Sequence, residues 1–323
     1  MPTTISLQQL YNLIIKNKGF VHCDDLIIVD GVNKVKHKYN NNTTISNIVF
    51  TGSIKFKITP TALFKRFLNV KVLDLECWDV SELTDLSYLF RECIAKEINV
   101  SSWDVSNCEN MLGMFEYCKN ITKLDVSNWN VSKVKDFRHM FSWCSNLMIV
   151  DLSNWNVRNA TNLSFMFSNC SNIRTIIISN WFLENAIDIS YMFSGCNYLY
   201  NIDFSKIIAP KLLEIEYMFD KCRWLNTLDL KGFNVNNVEN FNDVFNGCSG
   251  LKQLDISTWN TRNGKKFNEM FADCSSLENF DVSTLNFENA TRFQRLLYKC
   301  NPNIDFSTLI INDNLEPLFM ISL

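Results

Sequence analysis

The sequence predicts an α/β repeat solenoid, a rod in which short coils of similar sequence stack along one axis. The main observation is a cysteine that returns every 26 residues, after a first step of 25 residues. A strand-like alternation and a run with helical spacing follow each cysteine at fixed distances. The column consists of Cys93, Cys118, Cys144, Cys170, Cys196, Cys222, Cys248, Cys274 and Cys300. Because the period is constant, each coil is expected to pack on the coils before and after it.

Each coil is predicted to contribute one short strand to a long parallel sheet. In the coil that begins at Cys118, the residues Ile121, Leu124 and Val126 form an L-x-x-L-x-L pattern. Residues 124–127 alternate between apolar and polar side chains, as in a strand with one buried face. Equivalent strands of neighbouring coils would lie ~4.8 Å apart.

The second half of each coil changes period and is predicted to form a short helix or 3₁₀ segment. In one coil the apolar residues of this half are spaced by three, three, one and three positions, which is typical of one helical face. These residues are Val134, Phe137, Met140, Phe141 and Cys144.

A column of large side chains lies between the two halves. Tryptophan occupies it in six coils, at Trp78, Trp103, Trp129, Trp155, Trp181 and Trp259. Elsewhere Ile207, Phe233 and Leu285 stand in its place. We interpret the column as a wedge that fills the corner of each coil, where bulk rather than an indole is required.

The chain divides into three predicted parts. Residues 1–62 carry no repeat and are predicted to form an N-terminal cap, with a separate functional module as the alternative. A short amphipathic helix and β-hairpins are expected in this part, with strands at 21–29, 32–39, 45–50 and 54–58. Residues 63–311 form the solenoid of about nine coils, and the apolar residues 312–323 are predicted to cover the last coil.

Composition and charge exclude several classes of protein. The net charge of −3 and the pI of about 5.7 argue against a nucleic-acid partner, which would require a basic face. No run of 18 apolar residues is present, so no membrane span is expected. Residues 1–4 lack the features of a secretory signal. The expected location is the cytoplasm or a virus particle, with the cell surface as the alternative.

The sequence does not predict a catalytic, cofactor or metal site. His139 is expected to be a solvated surface residue. One thiol per coil cannot surround a zinc ion, so the cysteines are interpreted as a buried thiol ladder in a reducing compartment. A column of aspartates is expected at the outward position of the strands, at Asp74, Asp125, Asp151, Asp203, Asp229, Asp255, Asp281 and Asp305. We expect these carboxylates to accept hydrogen bonds in Asx turns. Calcium between coils is the alternative, although one carboxylate per coil supplies too few ligands.

The repeat resembles that of the BspA-like group, a family of bacterial surface proteins with leucine-rich-like repeats of 26 residues. The resemblance rests on the L-D-V-S-x-W-x-V segment at 124–131 and the M-F-x-x-C segment at 140–144. Similar repeats occur in unicellular eukaryotes and large DNA viruses. The resemblance implies a leucine-rich-repeat-like fold and, for the bacterial members, a role in adhesion.

Gaps in the aspartate column suggest a binding surface. Ile177 replaces aspartate in one coil, and Ile149 is expected to face outward in the coil before it. Together with Arg174, Thr175 and Tyr200 they form a candidate partner-binding patch, with ordinary surface variation as the alternative.

The predicted function is a non-enzymatic scaffold that binds a protein ligand. A cell-surface adhesion protein is the second hypothesis.

Overall fold

The computed structural model describes residues 3–16, 20–30, 47–57, 63–64, 69–278, 280–304 and 310–311. These residues form a parallel-stranded solenoid of about eight turns, which confirms the predicted repeat architecture. The predicted strand at 32–39 and the predicted C-terminal cap at 312–323 lie outside the described residues. The described part of the chain contains no helix long and apolar enough to cross a bilayer.

The N-terminal part contains strand β1 (Thr3–Ser6), helix α1 (Leu7–Lys16), strand β2 (Phe20–Asp30) and strand β3 (Asn47–Phe56). The predicted amphipathic helix is therefore present. A capping box begins it: the Gln9 backbone N–H donates to Ser6 Oγ at 3.2 Å, and the Ser6 N–H donates to Gln9 Oε1 at 2.7 Å. Leu10, Tyr11 and Ile14 form the buried face of the helix.

The N-terminal strands pair differently from the prediction. β1 pairs with β2 and β2 pairs with β3, both in parallel. The hairpin predicted from 45–50 and 54–58 is wrong, because residues 47–56 form the single strand β3. The hairpin predicted from 21–29 and 32–39 stays a prediction, because 32–39 lies outside the described residues. Strand β3 also pairs in parallel with β4 (Val72–Asp74), and this pairing joins the N-terminal strands to the first coil of the solenoid.

The remaining strands are short and belong to the coils. They are β5 (Trp78–Asp79), β6 (Glu97–Asn99), β7 (Lys123–Leu124), β8 (Ile149–Asp151), β9 (Thr175–Ile177), β10 (Thr227–Asp229), β11 (Gln253–Asp255), β12 (Asn286–Phe287) and β13 (Ile310–Ile311). Adjacent coils pair with a register of one repeat, as in Val150 opposite Ile176. One hydrophobic core fills the interior from the N-terminal helix to Ile304.

The second half of each coil is a series of turns, and not the predicted helix or 3₁₀ segment. Alternate N–H groups donate to the next coil: Phe137 to Asn162, His139 to Ser164, Phe141 to Met166 and Trp143 to Ser168, at 2.8–3.1 Å. The intervening N–H groups donate three residues back within their own coil, as from Cys144 to Phe141. His139 and Trp143 adopt left-handed φ angles of 56° and 62°. Alternate backbone N–H groups in this half therefore bind the neighbouring coil. In a helix they would instead bind carbonyls of their own segment.

The cysteine column is buried, as predicted, from Cys93 to Cys274, and Cys300 is half-buried. Each interior thiol donates to the carbonyl of a phenylalanine in the preceding coil, as from Cys144 to Phe115 at 3.2 Å. The same bond recurs at Cys118, Cys170, Cys196, Cys222, Cys248 and Cys274, at 3.0–3.2 Å. The thiol therefore contributes a donor between coils as well as apolar volume.

The tryptophan column stacks along the rod, with centroids of adjacent rings 6.0–6.5 Å apart from Trp78 to Trp155. The prediction that this position requires bulk alone is incomplete, because the indole N–H is also used. Trp129 Nε1 donates to the Val100 carbonyl at 3.0 Å, and Trp103, Trp155, Trp181 and Trp259 make equivalent bonds at 2.9–3.2 Å. A large side chain without an N–H group, such as that of Ile207, fills the position but cannot make this hydrogen bond.

Trp129→Phe is expected to lower the free energy of unfolding by about 1–2 kcal/mol. The change removes one buried hydrogen bond and part of a ring that is 1% exposed. Trp224→Phe is the matched control, because that side chain is 58% exposed and should change stability by less than about 0.5 kcal/mol. Urea unfolding followed by far-UV circular dichroism measures both, and equal effects would contradict the assigned role of the indole N–H.

Candidate functional site

In the part of the chain that the structure describes, the exposed large apolar side chains all lie in the middle coils, between residues 143 and 224. They are Trp143, Met148, Ile149, Ile177, Phe182, Ile187, Tyr198, Tyr200, Ile208, Leu213 and Trp224. Coils on either side carry polar residues at the same repeat positions. Asn156 lies one repeat before Phe182, and Asn234 lies one repeat after Ile208. The middle coils thus differ from the others in surface chemistry and not in fold.

The five predicted binding residues are all exposed on the sheet side of three consecutive coils. Ile149 lies opposite Thr175, and Ile177 lies opposite Asp151, in the parallel pair of β8 and β9. The exposed fractions of Ile149, Ile177 and Tyr200 are 59%, 37% and 56%. We call the surface formed by Met148, Ile149, Arg174, Thr175, Ile177 and Tyr200 the central sheet patch.

Backbone hydrogen bonds hold the central sheet patch together across the coils. The Arg174 N–H donates to the Met148 carbonyl at 2.8 Å, and the Tyr200 N–H donates to the Arg174 carbonyl at 3.4 Å. The buried residues Val150 and Ile176 lie between the exposed ones and anchor each strand in the core. The patch therefore occupies a scaffold whose backbone is ordered before any ligand arrives.

Two grooves adjoin the central sheet patch on the same sheet face. The first, of about 560 Å³, lies toward the N-terminal coils and is lined by Lys123, Asp125, Met148 and Ile149 among others. The second, of about 700 Å³, lies toward the C-terminal coils and is lined by four carboxylates, those of Asp203, Asp229, Asp255 and Asp281. We call the second one the acidic groove.

Six members of the aspartate column form Asx turns, which confirms the structural interpretation at these positions. One oxygen of each carboxylate accepts the N–H of the residue two positions ahead, at 2.9–3.1 Å, at Asp125, Asp151, Asp203, Asp229, Asp255 and Asp281. Ser127, Ser205 and Ser257 also donate their hydroxyls. Asp305 lies outside the described residues. Within the described ranges, no group of three His, Cys, Asp or Glu side chains is arranged to hold a metal ion.

The turn side of the middle coils carries a second arrangement that the sequence reasoning missed. The rings of His139, Phe165, Tyr191 and Tyr217 stack with centroids 4.3–4.6 Å apart. His139 is thus half-buried against Phe165 and not a solvated residue, and burial lowers the pKa of its imidazole. Burial likewise raises the pKa of the Asp220 carboxyl, whose charge acts on Tyr191 and Tyr217 and of which one oxygen has no hydrogen-bond partner among the described residues.

Sequence reasoning also missed part of the apolar surface. Met148, Tyr198 and Trp224 come just before the strand positions of their coils, while Phe182, Ile187, Ile208 and Leu213 come after them, and all seven are exposed. The sequence does contain the change from polar to apolar residues at these outward repeat positions. A comparison of every outward position between coils, and not only the aspartate column, would have identified these substitutions.

The chain matches the model of one protein family over three overlapping segments, at residues 60–181, 136–252 and 187–308. The description of that family is Mycoplasma protein of unknown function, DUF285. The segments together span residues 60–308, more than half of the chain. The chain belongs to the DUF285 family. This membership confirms the prediction of a leucine-rich-like repeat family of the BspA-like type.

Solved structures of leucine-rich repeat proteins align with this DUF285 chain at low identity. A leucine-rich repeat protein from Bacteroides ovatus is 13% identical over 88% of this chain and 85% of its own, with a TM-score of 0.37. A protein of the same kind from Leptospira interrogans is 11% identical over 98% and 89%, with a TM-score of 0.27. A leucine rich cell surface protein from Faecalibacterium prausnitzii is 13% identical over 94% and 89%, with a TM-score of 0.27. No curated protein matches the chain.

Proposed function

We propose that this chain is a non-enzymatic scaffold that binds a protein ligand through the central sheet patch. The observation that supports the proposal is that, among the described residues, every exposed large apolar side chain lies in the middle coils, between Trp143 and Trp224. Contiguous exposed apolar surface is costly in water and is typical of protein-binding sites. Polar residues at equivalent positions of other coils indicate that the repeat itself does not require this apolar surface.

The geometry of the patch suits a protein ligand better than a small molecule. The central sheet patch is an open surface over the two-stranded parallel sheet of β8 and β9, and its exposed members Ile149, Ile177 and Tyr200 come from three successive coils. Small molecules favour enclosed apolar cavities that bury most of their surface. Aromatic and aliphatic side chains with one neighbouring arginine, here Arg174, are frequent at the centre of protein interfaces.

We place the protein in the cytoplasm or in a virus particle. The support for this location is the column of free, buried thiols, which suits a reducing compartment. The alternative of a surface adhesion protein predicts that the patch binds a ligand supplied from outside the cell.

The double variant Ile149→Asp/Ile177→Asp is expected to reduce the affinity for the physiological partner at least 100-fold. Each isoleucine buried at an interface contributes about 1.5–3 kcal/mol, and about 1.4 kcal/mol corresponds to a tenfold change in affinity. A quantitative pull-down from lysate of the source organism, with wild type beside the variant, identifies proteins that depend on the patch. Titration with the purified partner then measures the change in affinity.

A matched control uses two exposed apolar residues of neighbouring coils outside the strands, in the variant Phe182→Asp/Ile208→Asp. Their exposed fractions are 42% and 58%, so both double variants should fold, which circular dichroism verifies. Partners retained by the control and lost from the sheet variant support the proposal. Partners lost only from the control would move the site away from the sheet. Partners that both variants retain would refute a role for the exposed apolar surface.

A further inference from the structure

We propose that the ligand of the central sheet patch is a protein segment in which apolar residues are followed by lysines or arginines, with the cationic part lying over the acidic groove. This inference rests on the proposed function and specifies the class of partner. It follows from the continuity of the apolar and acidic surfaces and from the charge of the groove.

The central sheet patch and the acidic groove form one continuous surface. Tyr200, at the end of the patch, is followed directly by Asn201 and Asp203, which line the groove. Thr175 of the patch also pairs in parallel with Asn201. A ligand that covers Ile177 and Tyr200 and continues along the rod therefore meets the first carboxylate of the groove in the same coil as Tyr200.

The acidic groove is negatively charged at neutral pH. Hydrogen bonds from the Ser205 hydroxyl and N–H lower the pKa of the Asp203 carboxyl, and those from Ser283 do the same at Asp281. Among the described residues, Lys231 pairs with both Asp229 and Asp255, at 3.3 and 3.2 Å. The charge of Lys206 also acts on Asp203. Four carboxylates thus face two lysines, and the structure describes no ion pair at Asp203 or Asp281.

The groove on the other side of the patch has a different charge character. Its lining contains Lys123 together with Glu97 and Asp125, and Lys123 pairs with Glu97 at 3.3 Å. The sheet face is therefore mixed in charge at one end, apolar in the middle and acidic at the other end. This asymmetry sets a direction for the ligand, with its cationic residues toward Asp281.

Other occupants fit this surface less well. Nucleic acids and anionic membranes would be repelled by the carboxylates. The Asx turns engage one oxygen of each aspartate, and no described cluster holds a metal. A second copy of the chain, with a net charge of −3, would have to present a basic surface to the groove. A basic and apolar segment of another protein satisfies both parts of the surface.

A random 16-residue peptide library displayed on phage, selected against the full-length chain, tests this inference. We expect the enriched peptides to carry Lys or Arg on one side of an apolar cluster. Their affinity should fall about tenfold in Asp203→Asn/Asp281→Asn, because two exposed charge pairs are lost. Asparagine keeps the oxygen that accepts the Asx-turn hydrogen bonds, so the fold should be retained. The matched control Asp74→Asn/Asp104→Asn changes the net charge equally at two aspartates that line neither groove, and should bind like wild type.

Each result of this selection decides between the two proposals. Peptides that lose binding to Ile149→Asp/Ile177→Asp but carry no basic bias, or that bind Asp203→Asn/Asp281→Asn unchanged, would overturn the inference and leave the proposed function standing. Peptides that bind Ile149→Asp/Ile177→Asp unchanged would count against the proposed site itself. Selection of no peptide, or self-association in sedimentation equilibrium that the isoleucine variant abolishes, would also overturn the inference, the latter in favour of a second copy.

Discussion

Phe167→Ala is expected to lower the free energy of unfolding by about 3–5 kcal/mol, because the change leaves a large cavity in a fully buried column. The ring of Phe167 is 0% exposed and stacks between those of Phe141 and Phe193, with centroids 5.3 and 5.7 Å away. Its backbone carbonyl accepts the N–H of Cys170 and the thiol of Cys196. Collapse around the cavity would disturb three successive coils.

Phe182→Ala is the control for this experiment, because it removes the same side chain from an exposed position of the following coil. The ring of Phe182 is 42% exposed and lies against the Arg158 guanidinium at 4.6 Å, so we expect a loss below about 1 kcal/mol. Urea unfolding gives the total effect. Hydrogen exchange locates it, since solenoid coils are stabilised mainly by their neighbours and need not unfold together. A small effect of Phe167→Ala would mean that the middle coils are loosely packed.

The buried cysteines are expected to react with iodoacetamide at least about 1000-fold more slowly than an exposed cysteine at pH 8. Burial raises the pKa of the Cys170 thiol to about 12, so little of the reactive thiolate is present. Its side chain is also 0% exposed, so reaction requires local opening. Cys77 is half-buried and should be modified earlier than the members of the column.

Tryptic digestion and mass spectrometry after timed alkylation measure each site separately. Labelling in urea is the control and should make all the sites react at similar rates. Column cysteines that react as fast as Cys77 in the native protein, or that form disulfides on mild oxidation, would contradict the buried thiol ladder and weaken the proposal of a reducing compartment.

The repeat spacing predicts the inward columns well, because inward positions are the only ones that every coil must fill with apolar side chains. Cys144, Trp155 and Phe141 were assigned to such positions from their spacing alone, and all three are buried. The hydrogen bonds of Asp151 were predictable for a similar reason, since an Asx turn involves residues only two positions apart.

The candidate site was predictable in part. Ile149 and Ile177 stand out because they interrupt regular columns, and the structure exposes both on one sheet face. Trp224 and Phe182 occupy other columns, which only a comparison of every outward position would have included. The sequence does not show how these columns are arranged around the coil, and therefore which exposed residues share a face with Ile149.

The sequence by itself determined the period, the buried columns and the parallel sheet, because these depend on which side chains face inward. The tertiary structure decided the destination of the backbone hydrogen bonds. The spacing of Val134, Phe137 and Met140 directs the same side chains inward in a helix and in the observed turns, so it cannot distinguish them. Only the stacked neighbour supplies the carbonyls that accept alternate N–H groups, such as that of Asn162 for Phe137. That interaction joins residues one repeat apart, and it replaces the helix with a ladder between coils.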